Sequence, residues 1–189
     1  MPDAAPEMLT DRLRLRAHRR EDAETLIDLW RDPVVVRHFG GQPMAPEDTW
    51  NRLLRYIGHW RANGFGMWVV EDRATGAALG EVGLFEGRRG LGSRFDSAPE
   101  AGWVLRPAAH GHGHARAAMT AVLGWAEAAH GFARTVCIID PANAPSLATA
   151  AALGYRPFGT CPYKGNEVLM FERAAPSAAA GSQSSPAAV

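Results

Sequence analysis

The sequence predicts a mixed α/β (α+β) fold in which helices pack on both faces of one sheet. Three observations support this class: short alternating apolar runs, longer stretches with a helical apolar period, and Gly- or Pro-rich turns between them. In chain order the segments read β-α-α-β-β-β-α-β-α-β-β, which indicates a mixed sheet. We expect one domain over residues 8–173. The Ala- and Ser-rich residues 174–189 show no periodicity and are predicted to be a disordered tail.

The first third of the chain predicts a strand followed by two helices. Leu9, Leu13 and Leu15 alternate with arginines, as in a half-buried strand. Apolar residues at helical spacing predict a helix over residues 21–30, and residues 34–46 are expected to be a loop. A second helix is predicted over residues 47–61. Its expected inner face comprises Trp50, Leu53, Leu54, Ile57 and either Trp60 or Arg61.

The remaining segments predict most of the sheet. Residues 67–71 and 77–85 flank a hairpin turn, and residues 87–97 are expected to be a mobile surface loop. Residues 135–139 are apolar on both faces, which favours a strand in the middle of the sheet. The last elements are a short helix over residues 145–153, ended by Gly154, and strands over residues 155–161 and 167–173.

Residues 99–129 form the centre of the chain. A short strand closed by Pro107 is followed by a helix with an apolar stripe, and Gly111 and Gly113 lie between them. A glycine turn at a helix start leaves several N–H groups unpaired at the positive end of the helix dipole. This arrangement predicts a phosphate or pyrophosphate site at the carboxyl end of a central strand.

Charge and cysteine content exclude several classes of function. The 20 basic and 20 acidic side chains give a formal net charge of zero, so the whole molecule is not steered to nucleic acid or to a membrane. Cys137 and Cys161 lack metal-ligand spacing and are expected to be reduced, buried small hydrophobes. With no signal-peptide core in residues 1–8 and no apolar run of about 18 residues, we expect a cytoplasmic protein.

The central residues resemble the GCN5-related N-acetyltransferase (GNAT) family, in the branch that includes ribosomal-protein N-terminal alanine acetyltransferases. That family's acetyl-CoA signature, [Gln/Arg]-x-x-Gly-x-[Gly/Ala], falls on His110–Ala115 after Pro107. The resemblance covers about residues 8–173. Its supporting marks are Glu100-Ala-Gly-Trp103, Pro141-Ala-Asn143-Ala-Pro-Ser146 and Leu153-Gly154-Tyr155.

The resemblance implies a mostly antiparallel sheet and acetyl-CoA as cosubstrate. Asn143 would bond the pantetheine arm, and the expectation that Ala144, before Pro145, caps the next helix would leave the Asn143 amide free. The alternative is that Asn143 is only a turn residue. The pantetheine would meet the backbone of Trp103, Val104 and Leu105, and the pyrophosphate would meet the amides of Gly111, His112, Gly113, His114, Ala115 and Arg116.

Two positions depart from the family pattern. His110 stands at the Gln/Arg position, and we expect weakened rather than lost cofactor affinity, since backbone amides do most of the phosphate binding. The tyrosine that many members carry seven residues after the asparagine is Ala150 here. Ser146 matches the serine of the alanine acetyltransferase branch.

The predicted chemistry assigns two catalytic residues. Glu100 would take the proton of an acceptor ammonium or bind it, the alternative being a solvated strand-end charge. Ser146 or a water would help the thiolate to leave, although Ser146 could instead bond a first-turn amide of its helix. The Val104 N–H is a candidate donor to the oxyanion, and Tyr163 is a further candidate acid.

The histidines at 110, 112 and 114 invite a metal interpretation, which we reject. The run lies in a glycine-interrupted turn where the rings splay, and no Cys or acidic cluster completes a coordination shell. No metal is predicted.

The leading hypothesis is an acetyl-CoA-dependent N-acetyltransferase that acts on a primary amine, either a protein N-terminus or a small molecule. A catalytically silent acyl-CoA sensor is the alternative, because the usual tyrosine is missing. A dinucleotide-binding oxidoreductase is disfavoured, since the glycine turn comes late and no acidic ribose ligand follows it. Nucleic acid and membrane partners are not expected. The acceptor amine stays open, and so does a homodimer.

Overall fold

A computed structural model describes residues 4–176 as one eight-stranded sheet with helices on both faces. The strand order is β1-β2-β3-β4-β5-β6-β8-β7, and among the pairs only β5 with β6 is parallel. The strands are β1 (Met8–Leu9), β2 (Leu13–Arg16), β3 (Met67–Asp72), β4 (Ala78–Phe85), β5 (Glu100–Leu105), β6 (Arg134–Ile139), β7 (Arg156–Tyr163) and β8 (Asn166–Ala174). The helices are α1 (Ala23–Arg31), α2 (Pro33–Val36), α3 (Pro46–Asn63), α4 (Ser93–Asp96), α5 (His114–His130) and α6 (Ala144–Ala152).

The helices divide into two layers. Buried residues of α1, α2 and α3 pack with Val104 of β5 on one face of the sheet. Met119 and Val122 of α5 and Ala150 of α6 join the larger core on the other face. A fold with helices on both faces of a mostly antiparallel sheet is therefore confirmed.

The sheet opens at its centre. Glu100 and Val136 are the one registered pair between β5 and β6, where the Val136 N–H donates to Pro99 O at 3.0 Å. Beyond that pair, β5 continues along β4 and β6 continues along β8. The diverging residues 101–105 and 137–139 define what we call the cleft.

The predicted N-terminal strand is instead a small hairpin. Met8 pairs with Leu15, and the turn is held by Thr10, whose N–H donates to Leu13 O at 2.9 Å. The Thr10 hydroxyl also accepts from the Leu13 N–H at 3.0 Å. Because a threonine side chain competes for backbone bonds, the alternating leucines do not continue as one strand, and Leu9 stays 55% exposed.

Helix α3 buries Leu53 and Trp60 as predicted, but it turns two other predicted inner residues outward. Leu54 and Ile57 are 47% and 39% exposed, whereas Thr49, Leu53, Tyr56 and Trp60 are buried. The reason is polar: the Tyr56 hydroxyl donates to Oε1 of Glu81 on β4 at 2.7 Å. A buried hydrogen bond to a carboxylate makes Tyr56 an inner residue that a hydrophobic pattern does not reveal.

Two predicted loops each contain a short helix. Helix α2 begins at Pro33 because Asp32 Oδ1 accepts from the Val34 N–H at 2.8 Å. Helix α4 buries Phe95, which is 2% exposed, so the expected surface loop is fixed to the core at this point.

The other predicted elements are confirmed with boundaries shifted by a few residues. The hairpin β3–β4, helix α5, strand β6, helix α6 and the hairpin β7–β8 all form. Strand β8 extends to Ala174, and residues 177–189 of the predicted tail lie outside the described residues. Within residues 4–176, no helix is both long enough and apolar enough to cross a membrane.

Candidate active site

The predicted pyrophosphate site is a turn of open amides at the start of α5. Gly111 and Gly113 have φ values of +77° and +74°, and a Cβ at either position would meet nothing within 4 Å. In the described part of the chain, no backbone oxygen outside α5 accepts from the N–H groups of residues 111–116. Since α5 has 17 residues, its dipole adds positive potential there. We call residues 111–116 the amide turn; it fits a phosphate group.

The His110 side chain bonds to the end of β5 and does not extend toward the amide turn. Its Nε2 lies 2.9 Å from the carbonyl oxygen of Leu105, and because a carbonyl only accepts, Nε2–H is the donor. The His110 ring is therefore engaged with β5, whereas the ring centroids of His112 and His114 lie 5.6 Å apart. The described residues contain no group of three or more His, Cys, Asp or Glu placed to hold a metal. A positive side chain reaches the amide turn from the N-terminal hairpin, where the Arg12 guanidinium donates to His112 O at 2.8 Å.

The backbone of β5 presents alternate residues to the cleft. Arg106 N–H donates to Leu79 O of β4 at 2.8 Å, and a Cβ on Gly80 would lie 2.1 Å from Val104 O. Because bonding alternates along an antiparallel pair, the main-chain groups of Val104 face β4, while those of Trp103 and Leu105 face the cleft. The expectation that the Val104 N–H holds an oxyanion is therefore wrong, and Trp103 supplies the N–H on that side.

Trp103, Ser146 and Asn143 form one chain of hydrogen bonds. Trp103 Nε1–H donates to Ser146 Oγ at 3.3 Å, and the Ser146 N–H donates to Asn143 Oδ1 at 3.2 Å. Asn143 is thus the N-cap of α6, where Ala144 was expected. Its side-chain oxygen accepts this bond, which leaves its NH₂ group as the available donor for a ligand. The predicted bond from the Ser146 side chain to a helix amide does not form.

Glu100 is a buried carboxylate held by an arginine. Its side chain is 3% exposed, and Oε2 accepts from Nε of Arg89 at 2.6 Å. The interpretation of Glu100 as a solvated charge is therefore wrong. Burial raises the pKa of Glu100, and the hydrogen bond and charge of Arg89 offset part of that rise. The other end of Arg89 donates to the hydroxyl of Tyr163, which joins the predicted acid to the predicted base.

Arg89 is a site residue that the sequence did not reveal. Its backbone N–H donates to Asp96 Oδ1 at 3.0 Å, and Asp96 Oδ2 accepts from the Gly92 N–H at 3.1 Å. The buried Phe95 next to Asp96 anchors this segment. The one available signal was a single large aromatic residue within a polar, glycine-rich stretch.

Ala150 occupies a closed position. It is 0% exposed in the core, so there is no space for the tyrosine that many family members carry here. Tyr163, at the end of β7, is instead the phenol linked to Glu100.

Residues 12–156 match the model of the acetyltransferase (GNAT) domain. The chain belongs to this family. A solved structure from Bordetella pertussis, assigned to the GnaT family of acetyltransferases, is 32% identical, with 90% of this chain and 100% of that chain covered at a TM-score of 0.81. Acetyl transfer is the activity that this family membership supports.

Two more distant structures illustrate the range of acceptors within the fold. The ribosomal-protein-S5-alanine acetyltransferase from Vibrio fischeri is 21% identical, with a TM-score of 0.70 and coverage of 90% of this chain and 97% of that one. The spermidine N-acetyltransferase from Vibrio cholerae, solved with CoA and spermine, is 18% identical, with a TM-score of 0.68 and coverage of 87% and 96%. At these identities the likeness establishes the fold and not the acceptor.

Proposed function

We propose that this protein moves the acetyl group of acetyl-CoA to a primary amine of a protein N-terminus or a small molecule, in the cytoplasm. The observation that carries the proposal is the amide turn at the end of β5, where no backbone oxygen outside α5 accepts from the N–H groups of residues 111–116 in the described part of the chain. It lies where the sheet opens, so a ligand bound there can extend along the cleft. The CoA complex of the spermidine enzyme supports the same choice of cosubstrate.

The residues present fit acetyl-CoA. The amide turn would hold the pyrophosphate, the cleft-facing main chain of Trp103 and Leu105 would meet the pantetheine arm, and the Asn143 NH₂ would bond its amide oxygen. When bound, acetyl-CoA supplies a thioester carbon that forms a C–N bond with the amine as the C–S bond breaks. The groups named here, in the amide turn, along the cleft and at Asn143, are backbone amides, backbone carbonyls and a neutral side chain. Such groups suit a long polar ligand.

The acceptor side is assigned to Glu100. Its carboxylate lies on the face of β5 that carries Val104, opposite α5, and it provides a buried anion for an incoming ammonium. The hydrogen bond and charge of Arg89 favour the ionised form of Glu100 and offset part of the rise in its pKa that burial causes. Ser146, held by Trp103, and Tyr163, held by Arg89, are the two hydroxyls that could protonate the departing thiolate.

The experiment measures thiol release from acetyl-CoA with panels of N-terminal peptides, amino acids and polyamines. We expect turnover with at least one amine, and a fall in kcat/KM of about 10²-fold in Glu100→Gln. Glu86→Gln is the matched control, because Glu86 is exposed and its carboxylate pairs with the exposed Arg88. Binding of acetyl-CoA without turnover on any acceptor would contradict the proposal and favour a silent acyl-CoA sensor.

A second measurement tests the amide turn directly. Calorimetry should show association of CoA with the wild-type protein. It should show weaker association at high salt, because phosphate contacts are electrostatic. No heat of association at any salt concentration would exclude the amide turn as a pyrophosphate site.

A further inference from the structure

An arginine of the N-terminal hairpin, formed by β1 and β2, is bonded to the amide turn, and the function proposed above does not use it. Nη2 of Arg12 donates to the carbonyl oxygen of His112 at 2.8 Å, although the two residues are 100 positions apart in the chain. Arg12 lies in the turn between β1 and β2 and is exposed. This contact couples the hairpin directly to the candidate pyrophosphate site.

The backbone of Arg12 is held in place independently of that contact. Its carbonyl oxygen accepts from the Arg73 N–H at 2.9 Å, just after the end of β3. The N–H of the neighbouring Leu13 donates to the Thr10 hydroxyl at 3.0 Å, and the Leu13 side chain is fully buried. The guanidinium therefore extends to the amide turn from a fixed point.

The Arg12 guanidinium brings its charge to the amide turn without a carboxylate partner. Among the described residues, the arginines that pair with Asp or Glu do not include Arg12. The carboxylate of Asp72, whose charge also acts on His114, accepts from the N–H groups of Ala74 and Thr75 instead. Burial, followed by the charge of Arg12, lowers the pKa of His114. The positive charge of Arg12 thus acts on the start of α5.

The hydrogen bond from Arg12 fixes the direction of the Gly113 amide. The described residues contain no cis peptide bond, so the carbonyl oxygen and the N–H of the His112–Gly113 peptide point in opposite directions. The strand order places the hairpin on the β4 side of β5 and the cleft on the β6 side. A His112 carbonyl that points toward Arg12 therefore turns the Gly113 N–H toward the side of the cleft. Within the described residues, no backbone oxygen accepts from that N–H.

A charged donor also strengthens the amide at the other end of the peptide. The hydrogen bond from a guanidinium to a carbonyl is charge-assisted, and it polarises the peptide so that its N–H becomes a better donor. His110, which stands at the Gln/Arg position of the family signature, does not provide this charge, because its ring is bound to Leu105 O at 2.9 Å.

We propose that Arg12 is a positioning residue of the cosubstrate site, which orients and polarises the Gly113 N–H toward the pyrophosphate of acetyl-CoA. This inference rests on the proposed N-acetyltransferase function, because it takes the amide turn as the pyrophosphate site. Arg12 acts through the His112–Gly113 peptide and does not touch the ligand. Cosubstrate affinity then depends on a hairpin that lies outside the strand, turn and helix of residues 99–129.

The test compares Arg12→Met with the matched control Arg73→Met. Both arginines are exposed, and both donate to a main-chain carbonyl, since Nη1 of Arg73 donates to Thr10 O at 3.1 Å. Each variant therefore loses one positive charge and one bond of the same kind. Calorimetry measures their affinity for CoA. We expect Arg12→Met to bind CoA about five- to tenfold more weakly, and Arg73→Met to stay within about twofold of the wild type.

Two further readouts separate positioning from a structural role. In isotope-labelled protein, addition of CoA should shift the NMR resonance of the Gly113 amide, and this shift should be smaller in Arg12→Met but not in Arg73→Met. The KM for acetyl-CoA should rise in Arg12→Met with kcat unchanged, because a contact with the pyrophosphate is the same before and during the reaction. Without ligand, the two variants should melt at the same temperature.

Three results would overturn the assignment of Arg12. Equal CoA affinities of Arg12→Met and Arg73→Met would show that only net charge matters. A Gly113 resonance that responds to CoA equally in the wild type and in Arg12→Met would show that Arg12 does not orient this amide. A lower melting temperature of ligand-free Arg12→Met would assign it a structural role. A wild-type protein that binds no CoA would instead contradict the proposed function, so the two failures are distinguishable.

Discussion

Nε of Arg89 lies 2.6 Å from Oε2 of Glu100, so a residue of the segment between β4 and β5 neutralises a buried carboxylate of β5. The same arginine reaches Tyr163 at the far edge of the sheet. This contact joins the two halves of the sheet on either side of the cleft. It also means that the ionisation of Glu100 depends on a side chain outside the strand.

Removal of that arginine should make stability pH-dependent. In Arg89→Met the Glu100 carboxylate loses its partner, and we expect a loss of about 3–5 kcal/mol at pH 8. Burial already raises the pKa of Glu100, and the raised value should climb further. A carboxyl whose folded pKa lies above its unfolded pKa destabilises the fold as pH rises through that interval.

Thermal unfolding at pH 5 and pH 8 measures this effect. The melting temperature of Arg89→Met should fall more between pH 5 and pH 8 than that of the wild type. Arg88→Met is the control, because Arg88 is exposed and pairs with the exposed Glu86. Parallel shifts of Arg89→Met and wild type would show that Arg89 does not control the ionisation of Glu100.

A Cβ at Gly113 should weaken CoA binding. Its φ of +74° disfavours an L side chain, although the space around it is open. We expect Gly113→Ala to cost about 1 kcal/mol of stability and to lower CoA affinity about tenfold, since the amide turn must rearrange.

Gly124→Ala is the matched control for Gly113→Ala. Gly124 lies inside α5 and also has nothing within 4 Å of an added Cβ. There the same change should stabilise the protein by about 0.5–1 kcal/mol and leave CoA affinity unaltered. Calorimetry measures the CoA affinity of both variants, and chemical denaturation measures their stability. Equal changes in the two variants would contradict the prediction, because they would show that the backbone conformation at residue 113 does not matter.

Glu81 should support the fold above the pH at which it is protonated. It is 0% exposed, and it accepts from Trp30 Nε1 at 3.2 Å and from the Tyr56 hydroxyl at 2.7 Å. Burial opposes its ionisation, but His18, whose Nε2 lies 3.5 Å from Glu81 Oε2, and the charge of Arg52 lower the pKa of Glu81 below its usual value.

A lowered folded pKa gives stability that is present above the unfolded pKa of about 4.3 and is lost as pH falls through the folded value. Glu81→Gln should therefore lose about 3–5 kcal/mol near pH 7 and less at low pH, as seen in denaturant unfolding at pH 3 and 7. A constant difference between variant and wild type at both pH values would contradict this. The exposed Glu47→Gln serves as control.

Phe95 should determine whether the segment between β4 and β5 is ordered. Phe95→Ala removes a 2%-exposed aromatic side chain, and we expect a loss of about 3–5 kcal/mol together with faster proteolytic cleavage near residues 88–94. Leu91→Ala, at a half-buried position, should change cleavage little. Cleavage at wild-type rates would mean that Phe95 does not anchor the segment.

Local sequence patterns predicted most of the helices and strands. The errors occurred where polar contacts between residues distant in the chain determine which side chains are buried. The amide turn could be predicted because the glycines, the strand end and the helix stripe are contiguous in the chain. Part of the inner face of α3 was mispredicted because Tyr56 is buried by its hydrogen bond to Glu81, 25 residues away. Hydrophobic periodicity carries no information on such a partner.

The candidate site also contains residues that the sequence predicted and residues that it did not. The link between Trp103 and Ser146 brings together two residues that the sequence selected. Arg89 was missed because a guanidinium in a glycine-rich segment has no periodic signature, and its partner Glu100 is 11 residues away. The N–H group that faces the cleft was assigned to Val104 and belongs to Trp103. Which residues of β5 bond to β4 depends on the register between the two strands, and the sequence of β5 alone does not specify that register.

The Glu100–Val136 pair joins two parts of the sheet, which we call blades: a five-stranded blade of β1 to β5 and a three-stranded blade of β6, β8 and β7. Within each blade the strands are joined by continuous ladders, whereas the two blades are joined by this one registered pair, by side chains such as Arg89, and by the core that both share with α5. The width of the cleft beyond Glu100 is therefore set by side-chain packing and not by ladder bonds.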